Sequence, residues 1–146
     1  CLSDFFPLKD IKILAADIDE GAIEKAKMGI YSKKSIENIP DAFVKKFFTP
    51  LGNSFKINDE VKKCVEFKKM NLLKDQYPKN YDLITCRNVM IYFTEEAKSE
   101  MYHKFNGALR ENGVLFVGST EQIIVPAKFN FVPKKTFFYE RITAKK

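Results

Sequence analysis

The stretch "YDLITCRNVMIYF" (81–93) is almost continuously apolar, yet it carries Arg87 and Asn88 side by side. Burying a guanidinium or an amide is costly unless the group finds hydrogen-bond partners. The first six residues favour a strand, so the polar pair follows its carboxyl end. Two interpretations stay open at this point. Either Arg87 pairs with Asp17 or Asp82 while Asn88 caps a loop, or the two residues stand at the mouth of a sheet and meet a polar ligand.

The segments on both sides of this stretch alternate between strands and helices. "IKILAAD" (11–17) predicts a buried strand, followed by a helix that Asp19 caps and Gly29 ends. Thr94 is the expected N-cap of a second helix, which "ENG" (111–113) ends before the buried strand "GVLFVGS". This alternation predicts a parallel sheet with helices on its faces. The tail "KFNFVPKKTFFYERI" predicts a hairpin around "PK" that adds an antiparallel strand.

The middle of the chain lacks this rhythm. We expect a short helix at 40–48, strands at "SFKI" and "CVEFKKMNL", and turns at "TPLGN" and "NDE". The sequence therefore predicts one domain over residues 1–146, with a small inserted β-subdomain at approximately 31–64.

Composition excludes several classes of protein. The 146 residues suit one globular domain, and no window approaches the ~20 apolar residues of a membrane span. The net charge of +6 permits nucleic acid, an anionic membrane or an acidic protein as partner. Cys1, Cys64, Cys86 and the single His103 lack zinc-site spacing, so we expect reduced thiols, a surface histidine and no metal. The sequence contains no G-x-G, which argues against a dinucleotide fingerprint or a P-loop.

Polar residues follow each predicted strand of the main sheet. They are Asp17, Asn71, the pair Arg87 and Asn88, and Ser119. Ligands of open α/β sheets bind beyond the carboxyl ends of the strands, and an acid at such an end commonly accepts hydrogen bonds from ribose. We therefore expect Asp17, Asn71, Arg87 and Asn88 to converge in one cleft.

Several blocks of the sequence resemble the CheR-type chemotaxis receptor methyltransferases, in matching order over roughly residues 11–141. They are "ILAADIDEGAIEKAKMGIY", "VEFKKMNLL", "YDLITCRNVMIYF", "GVLFVGSTE" and "TFFYER". The resemblance implies a Rossmann-like fold that binds S-adenosyl-L-methionine, with a mixed sheet whose last strand is antiparallel. It also implies methyl transfer to glutamate side chains of chemoreceptors, with S-adenosyl-L-homocysteine as product.

The same resemblance implies roles for six residues. Tyr92 corresponds to a catalytic tyrosine close to the transferred methyl, and the cofactor-binding residues are Asp17 at the ribose, Asn71 and Leu72 at the adenine, and Arg87 and Asn88 in the pocket. A glutamate carboxylate is already ionised at neutral pH, so the reaction needs neither a general base nor a metal. Positioning alone can lower such a barrier by ~7–11 kcal/mol.

The resemblance also implies partners and a compartment. The expected partners are the cytoplasmic helices of chemoreceptors, without nucleic acid and without membrane insertion, and the expected location is the cytoplasm. The positive net charge suits a substrate that bears glutamates. In some family members the β-subdomain binds a receptor's C-terminal pentapeptide through a glycine-bearing loop. The corresponding "TPLGNSFKINDE" has one glycine, Gly52, so we expect no dependence on such a tether.

The sequence departs from the family at its start. The family's glycine- and glutamate-containing cofactor loop, its first strand and its N-terminal helical domain precede the block at 11–17 and have no counterpart here. We therefore expect the C-terminal part of a catalytic domain that lacks its first strand and is inactive alone. A non-catalytic binding module of the same fold, and a nucleic-acid binder or RNA methyltransferase, are the alternatives.

Overall fold

The computed structural model describes residues 2–143, so the predicted reduced thiol of Cys1 lies outside the described residues. The chain divides into two contact units, Cys1–Asn71 and Leu72–Lys146. The border between the units, after residue 71, differs from both ends of the subdomain predicted at approximately 31–64. That inserted subdomain stays a prediction. The elements of the first unit are β1 (Ile13–Asp17), α1 (Glu20–Met28), β2 (Ile30–Ser32), α2 (Asp41–Phe47), β3 (Phe48–Leu51), β4 (Ser54–Ile57), α3 (Asp59–Lys62) and β5 (Val65–Lys69), with short 3-10 turns at Leu2–Asp4, Leu8–Asp10 and Lys34–Ile36.

A parallel strand pair and a helix form the first part of this unit. β1 pairs with β5, so that Asp17 lies opposite Lys69 at the carboxyl ends of both strands. The predicted helix is confirmed as α1. Its N-cap Asp19 accepts a hydrogen bond from the Gly21 N–H at 2.7 Å, and Gly29 ends it in the left-handed region with φ of 67°. Glycine suits this position because it has no Cβ to clash there.

The prediction that β1 is a buried strand is wrong for the described residues. Within its unit, β1 pairs with β5 alone and packs against α1, so much of its surface faces outward. Ile13 is 42% exposed as a result.

The middle segment forms a three-stranded antiparallel sheet in the order β2–β4–β3. The helix predicted at 40–48 is confirmed as α2, where Phe43 and Phe47 stack with ring centroids 6.1 Å apart. The turn predicted at "TPLGN" is wrong in extent, because Leu51 pairs with Ser54 in the ladder. The turn is therefore confined to the two residues between them, of which Gly52 has a φ of 56°.

The second unit contains a four-stranded mixed sheet with one long helix. The elements are β6 (Tyr81–Cys86), a 3-10 turn (Met90–Tyr92), α4 (Glu95–Ala108), β7 (Leu109–Val117), a 3-10 turn (Pro126–Phe129), β8 (Phe131–Lys135) and β9 (Phe138–Arg141). The strand order is β6–β7–β9–β8. β6 and β7 are parallel, and β9 runs antiparallel to both β7 and β8. The predicted mixed sheet with an antiparallel last strand is confirmed.

Two predicted boundaries in this unit are displaced. α4 begins at the predicted cap Thr94 but ends at Ala108 rather than at 111–113, because fully buried Leu109 already starts β7. Asn112 then takes a left-handed conformation, with φ of 59°, where the β6–β7 register shifts. The hairpin turns at Thr136 and Phe137 rather than at "PK", since Lys135 still pairs with Phe138.

The apolar core of the second unit lies between α4 and the sheet. Its buried members are Cys86, Met90, Met101, Tyr102, Phe105, Leu109, Leu115, Val117, Ile123, Phe129, Phe131 and Tyr139. Burial, together with the smaller effect of the nearby negative charge of Glu121, raises the pKa of the Cys86 thiol to about 12. His103, on the outer side of α4, is exposed as predicted. None of the helices within residues 2–143 is long and apolar enough to cross a membrane.

Candidate functional site

The loop after β6 resolves the conflict between polar and apolar residues in 81–93. Arg87 and Asn88 are exposed, whereas Met90 has no exposed surface and belongs to the core. The Arg87 guanidinium lies over the Phe116 ring, 5.0 Å from its centroid. The polar pair is therefore exposed at the carboxyl end of β6, and its role in ligand binding stays a prediction.

The structural alternative in which Arg87 pairs with Asp82 is wrong. Asp82 instead accepts a hydrogen bond from the Arg110 Nε at 2.6 Å. Both of these side chains are largely exposed, so this ion pair contributes little to stability.

Asn88 adopts the left-handed backbone conformation, with φ of 59°. Asparagine tolerates this region better than other non-glycine residues. Val89 follows in the right-handed region, with φ of −114° and ψ of −47°. Such a left–right succession turns successive backbone N–H groups toward one point and forms an anion-binding concavity.

The Glu121 carboxylate fills that concavity. Its Oε1 accepts hydrogen bonds from the N–H groups of Val89 at 2.8 Å and Met90 at 2.6 Å. Its Oε2 accepts from the N–H groups of Asn88 at 2.6 Å and Gly118 at 2.9 Å. Glu121 is only 4% exposed and is the buried charged residue of the described chain. Four backbone donors thus satisfy a carboxylate that has lost its water.

A tight turn after β7 brings Glu121 to this position. The Glu121 N–H donates to the Gly118 carbonyl at 3.0 Å, which closes the turn. Two residues on, the Ile123 N–H donates to the Tyr139 hydroxyl at 3.1 Å. Sequence reasoning selected this loop through Ser119, which is exposed, and missed Glu121. The signal that could have found Glu121 is an acidic residue that closely follows an apolar strand and a glycine, two residues after Ser119.

Gly118 is required by the close approach of this carboxylate. A Cβ built on Gly118 would lie 2.3 Å from the Glu121 Oε2 and 3.0 Å from the Asn88 Oδ1. Both distances are shorter than ordinary contacts, so a side chain at position 118 must displace the carboxylate.

A second loop of this unit, at 72–75, is held by Lys104 of α4. The Lys104 Nζ donates to the carbonyls of Leu72 at 3.3 Å and Asp75 at 3.2 Å, and also to that of Leu73. The Tyr77 hydroxyl donates to the Leu72 carbonyl at 2.7 Å. The backbone of Leu72 is thereby fixed while its half-buried side chain packs at the margin of the core.

The first unit brings Asp17 and Asn71 to one sheet edge. The Met70 N–H donates to the Asp17 carbonyl at 2.8 Å, so Asn71 follows directly beside the end of β1. The Asp17 carboxylate is exposed, and its Oδ1 accepts from the Asp19 N–H at 2.9 Å. Its Oδ2 has no hydrogen-bond partner among residues 2–143 and can accept one from a ribose hydroxyl. The convergence of Asp17 and Asn71 with Arg87 and Asn88 stays a prediction.

Tyr92 ends the 3-10 turn Met90–Tyr92 and is 81% exposed. It lies four residues beyond Asn88 on the loop whose backbone the Glu121 carboxylate holds. The second unit therefore presents Arg87, Asn88 and Tyr92 from one short segment. In residues 2–143 no three histidine, cysteine, aspartate or glutamate side chains group as a metal site.

This architecture is that of the S-adenosylmethionine-dependent methyltransferases. A TehB-like SAM-dependent methyltransferase from Corynebacterium glutamicum has a similar fold, with a TM-score of 0.51 and 14% identity over 88% of this chain and 65% of that one. The sequence model described as "CheR methyltransferase, SAM binding domain" matches residues 2–138. The chain belongs to this CheR methyltransferase family, whose cofactor is S-adenosyl-L-methionine.

Relatives within the family are named chemotaxis protein methyltransferases. That of Listeria innocua is 39% identical over 127 residues, which cover 87% of this chain and 48% of the relative. That of Escherichia coli is 35% identical over 116 residues, covering 75% of this chain and 41% of the relative. The chain thus spans about half the length of the relatives it matches. Asp17 is an exposed acceptor at the end of β1, which is the chemistry that a ribose hydroxyl of this cofactor requires.

We predict that Gly118→Ala lowers the free energy of unfolding by ~1–3 kcal/mol, because the new methyl group forces the carboxylate from its donors. Gly107→Ala is the matched control, since a Cβ there meets nothing within 4 Å. Its position inside α4 makes it neutral or stabilising by up to ~1 kcal/mol. Urea denaturation of both variants measures the difference, and equal stability would contradict the close approach.

Proposed function

We propose that the protein containing this chain transfers the methyl group of S-adenosyl-L-methionine to glutamate side chains on the cytoplasmic domains of chemoreceptors. The observation that carries the proposal is the family match over residues 2–138, which includes every strand end with a predicted site residue. The relatives' names connect the family with chemotaxis. The glutamate substrate and the cytoplasmic location belong to the proposal.

The chemistry asks little of the protein beyond positioning. When bound, the cofactor supplies a methyl carbon activated by its sulfonium. A substrate glutamate, with an ordinary pKa of about 4.3, is ionised at neutral pH and needs no base to become a nucleophile. The side chains of the site then serve to orient the reactants in line and to exclude water.

Each predicted site residue has a proposed task that its surroundings permit. Exposed Asp17 binds the ribose, and Asn71 beside it contacts the adenine together with Leu72. Arg87 and Asn88 bind the cofactor from the loop after β6. In this proposal Tyr92, which is highly exposed, is the catalytic residue beside the transferred methyl.

The charge of the chain supports the choice of substrate. A net charge of +6 favours encounter with receptor helices that carry glutamates. In this proposal the receptor helices are the partner, and nucleic acid and the bilayer take no part. A steep salt dependence of RNA binding would support the nucleic-acid alternative instead.

We predict that the full-length protein methylates a receptor cytoplasmic domain and that residues 1–146 alone do not. The reason is that residues 1–146 span only about half the length of the relatives they match, and a small misplacement of reacting groups costs ~100-fold in rate. The measurement is transfer of a radiolabelled methyl group. Comparable turnover by the two proteins contradicts the inactivity of residues 1–146. A full-length protein that binds receptor without turnover is instead a non-catalytic binding module.

We predict that Asp17→Ala weakens cofactor binding by roughly 10- to 100-fold, because one charge-assisted hydrogen bond is lost. Asp41→Ala is the control, since Asp41 is an exposed acid at the start of α2. Calorimetric titration of the full-length variants with S-adenosylhomocysteine measures the affinity. Equal affinities for wild type and Asp17→Ala contradict the ribose role.

Two substitutions of Asn88 distinguish the contribution of its side-chain amide from that of its left-handed backbone conformation. Asn88→Gly and Asn88→Ala both remove the amide, but only alanine strains the left-handed conformation, by ~1–2 kcal/mol. If the amide binds cofactor, both variants lose affinity in the same titration. If the residue serves the backbone alone, Asn88→Gly retains wild-type affinity.

We predict no receptor tether at the sheet formed by β2, β4 and β3. Its β3–β4 connection is a two-residue turn with a single glycine, Gly52, and so offers little loop for a peptide to contact. Calorimetry with the C-terminal pentapeptide of a receptor should show no saturable binding to the full-length protein. Micromolar binding that fails when residues of this turn are replaced would contradict the prediction.

A further inference from the structure

We propose that Glu121 is a positioning residue of the cofactor site, whose carboxylate sets the backbone of residues 87–90 and so aims Arg87 and Asn88. The inference rests on the proposed function, because it takes these two residues as ligands of S-adenosylmethionine. Glu121 has no role in that reaction as described above and reaches the cofactor only through the loop it holds.

The first argument is the number and direction of the donors. Three consecutive N–H groups, those of Asn88, Val89 and Met90, turn toward the carboxylate within 2.8 Å. None of the three can bond within a strand or a helix there, since β6 ends at Cys86 and the 3-10 turn begins at Met90. Buried backbone donors require a partner, and Glu121 supplies it for all three.

The second argument is that each of the two carboxylate oxygens accepts two of the four hydrogen bonds. Oε1 accepts from Val89 and Met90, whereas Oε2 accepts from Asn88 and from Gly118, which directly follows β7. An amide has one accepting oxygen, so glutamine must leave two of the four donors facing its own NH₂ group. Aspartate keeps the charge and both oxygens but is one methylene shorter, so it reaches the donors only in part.

The third argument is the location of the strain. Asn88 is held in the left-handed region at φ of 59°, a conformation that is uncommon for non-glycine residues but that asparagine adopts more readily than most. Its backbone N–H donates a hydrogen bond to the Glu121 Oε2 with an N···O distance of 2.6 Å, among the shortest in the loop. Without this acceptor the backbone at Asn88 relaxes, and the side chains on either side of it change direction.

The test compares full-length Glu121→Gln and Glu121→Asp with wild type, using Glu111→Gln as a matched control. Glu111 is an exposed carboxylate on β7 that accepts from the Thr143 hydroxyl at 2.9 Å. We expect S-adenosylhomocysteine to bind Glu121→Gln roughly 10- to 100-fold more weakly per folded molecule. Glu121→Asp should recover part of this loss, and Glu111→Gln should bind as wild type does.

A positioning role differs from general stabilisation in two readouts. The KM for S-adenosylmethionine should rise in Glu121→Gln while the KM for the receptor domain stays unchanged. The amide proton signals of Asn88, Val89, Met90 and Gly118 should move upfield, because hydrogen bonds to a carboxylate shift them downfield in wild type. A variant that is less stable but binds with wild-type affinity when folded overturns the inference.

If Glu121→Gln does not fold, the inference is tested on the wild-type protein by following its amide signals during cofactor binding. Adding S-adenosylhomocysteine should shift the amide signals of Asn88, Val89 and Gly118 together, since one carboxylate joins them. Signals at these positions that stay unchanged, while others respond to the ligand, would falsify the inference. A wild-type protein that binds no cofactor shows instead that the proposed function has failed, and the inference falls with it.

Discussion

A single buried carboxylate accepting four backbone N–H groups organises the end of the sheet in the second unit. The parallel register of β6 and β7 places Cys86 opposite Val117, so the loops that follow begin side by side. Glu121 joins these loops through Asn88 and Gly118. The donors come from the backbone and not from a cation. The arrangement therefore depends on main-chain geometry.

The two loops of this unit that carry proposed cofactor residues are held by opposite charges. Lys104 donates hydrogen bonds to carbonyl groups of the loop at 72–75, whereas Glu121 accepts hydrogen bonds from N–H groups of the loop after β6. Each ion satisfies the backbone groups that an irregular segment leaves without strand or helix partners. Both ions bond to the backbone of the loops, and the side chains of Arg87 and Asn88 stay exposed.

The sequence predicted most elements of the fold because their local signals agree with their packing. α1 has its cap at Asp19 and its end at Gly29, and α4 begins at Thr94, as expected. The predicted boundaries were wrong where tertiary packing outweighed the local sequence signal. An example is Leu109, which is buried in the core and begins β7 instead of continuing α4. The strand-end rule found the loops that bear Arg87 and Asn88. It missed Glu121 and Lys104, because no local pattern shows that a charged side chain will turn inward to bond a distant backbone.

The contact between Gly118 and Glu121 has a consequence for how this site can vary. As long as the carboxylate stays, position 118 favours glycine, because a Cβ would lie 2.3 Å from the Oε2 and force the carboxylate to shift. Once Glu121 is replaced by a smaller apolar residue, that clash disappears, and the contacts of 3.0 Å with the Asn88 Oδ1 and 3.1 Å with the Asn88 backbone nitrogen remain. The two positions are therefore epistatic, and the order in which substitutions arise decides whether intermediates are viable. If the acid is replaced first, a side chain at 118 meets only the tight contacts with Asn88, whereas the reverse order passes through the clash with the carboxylate.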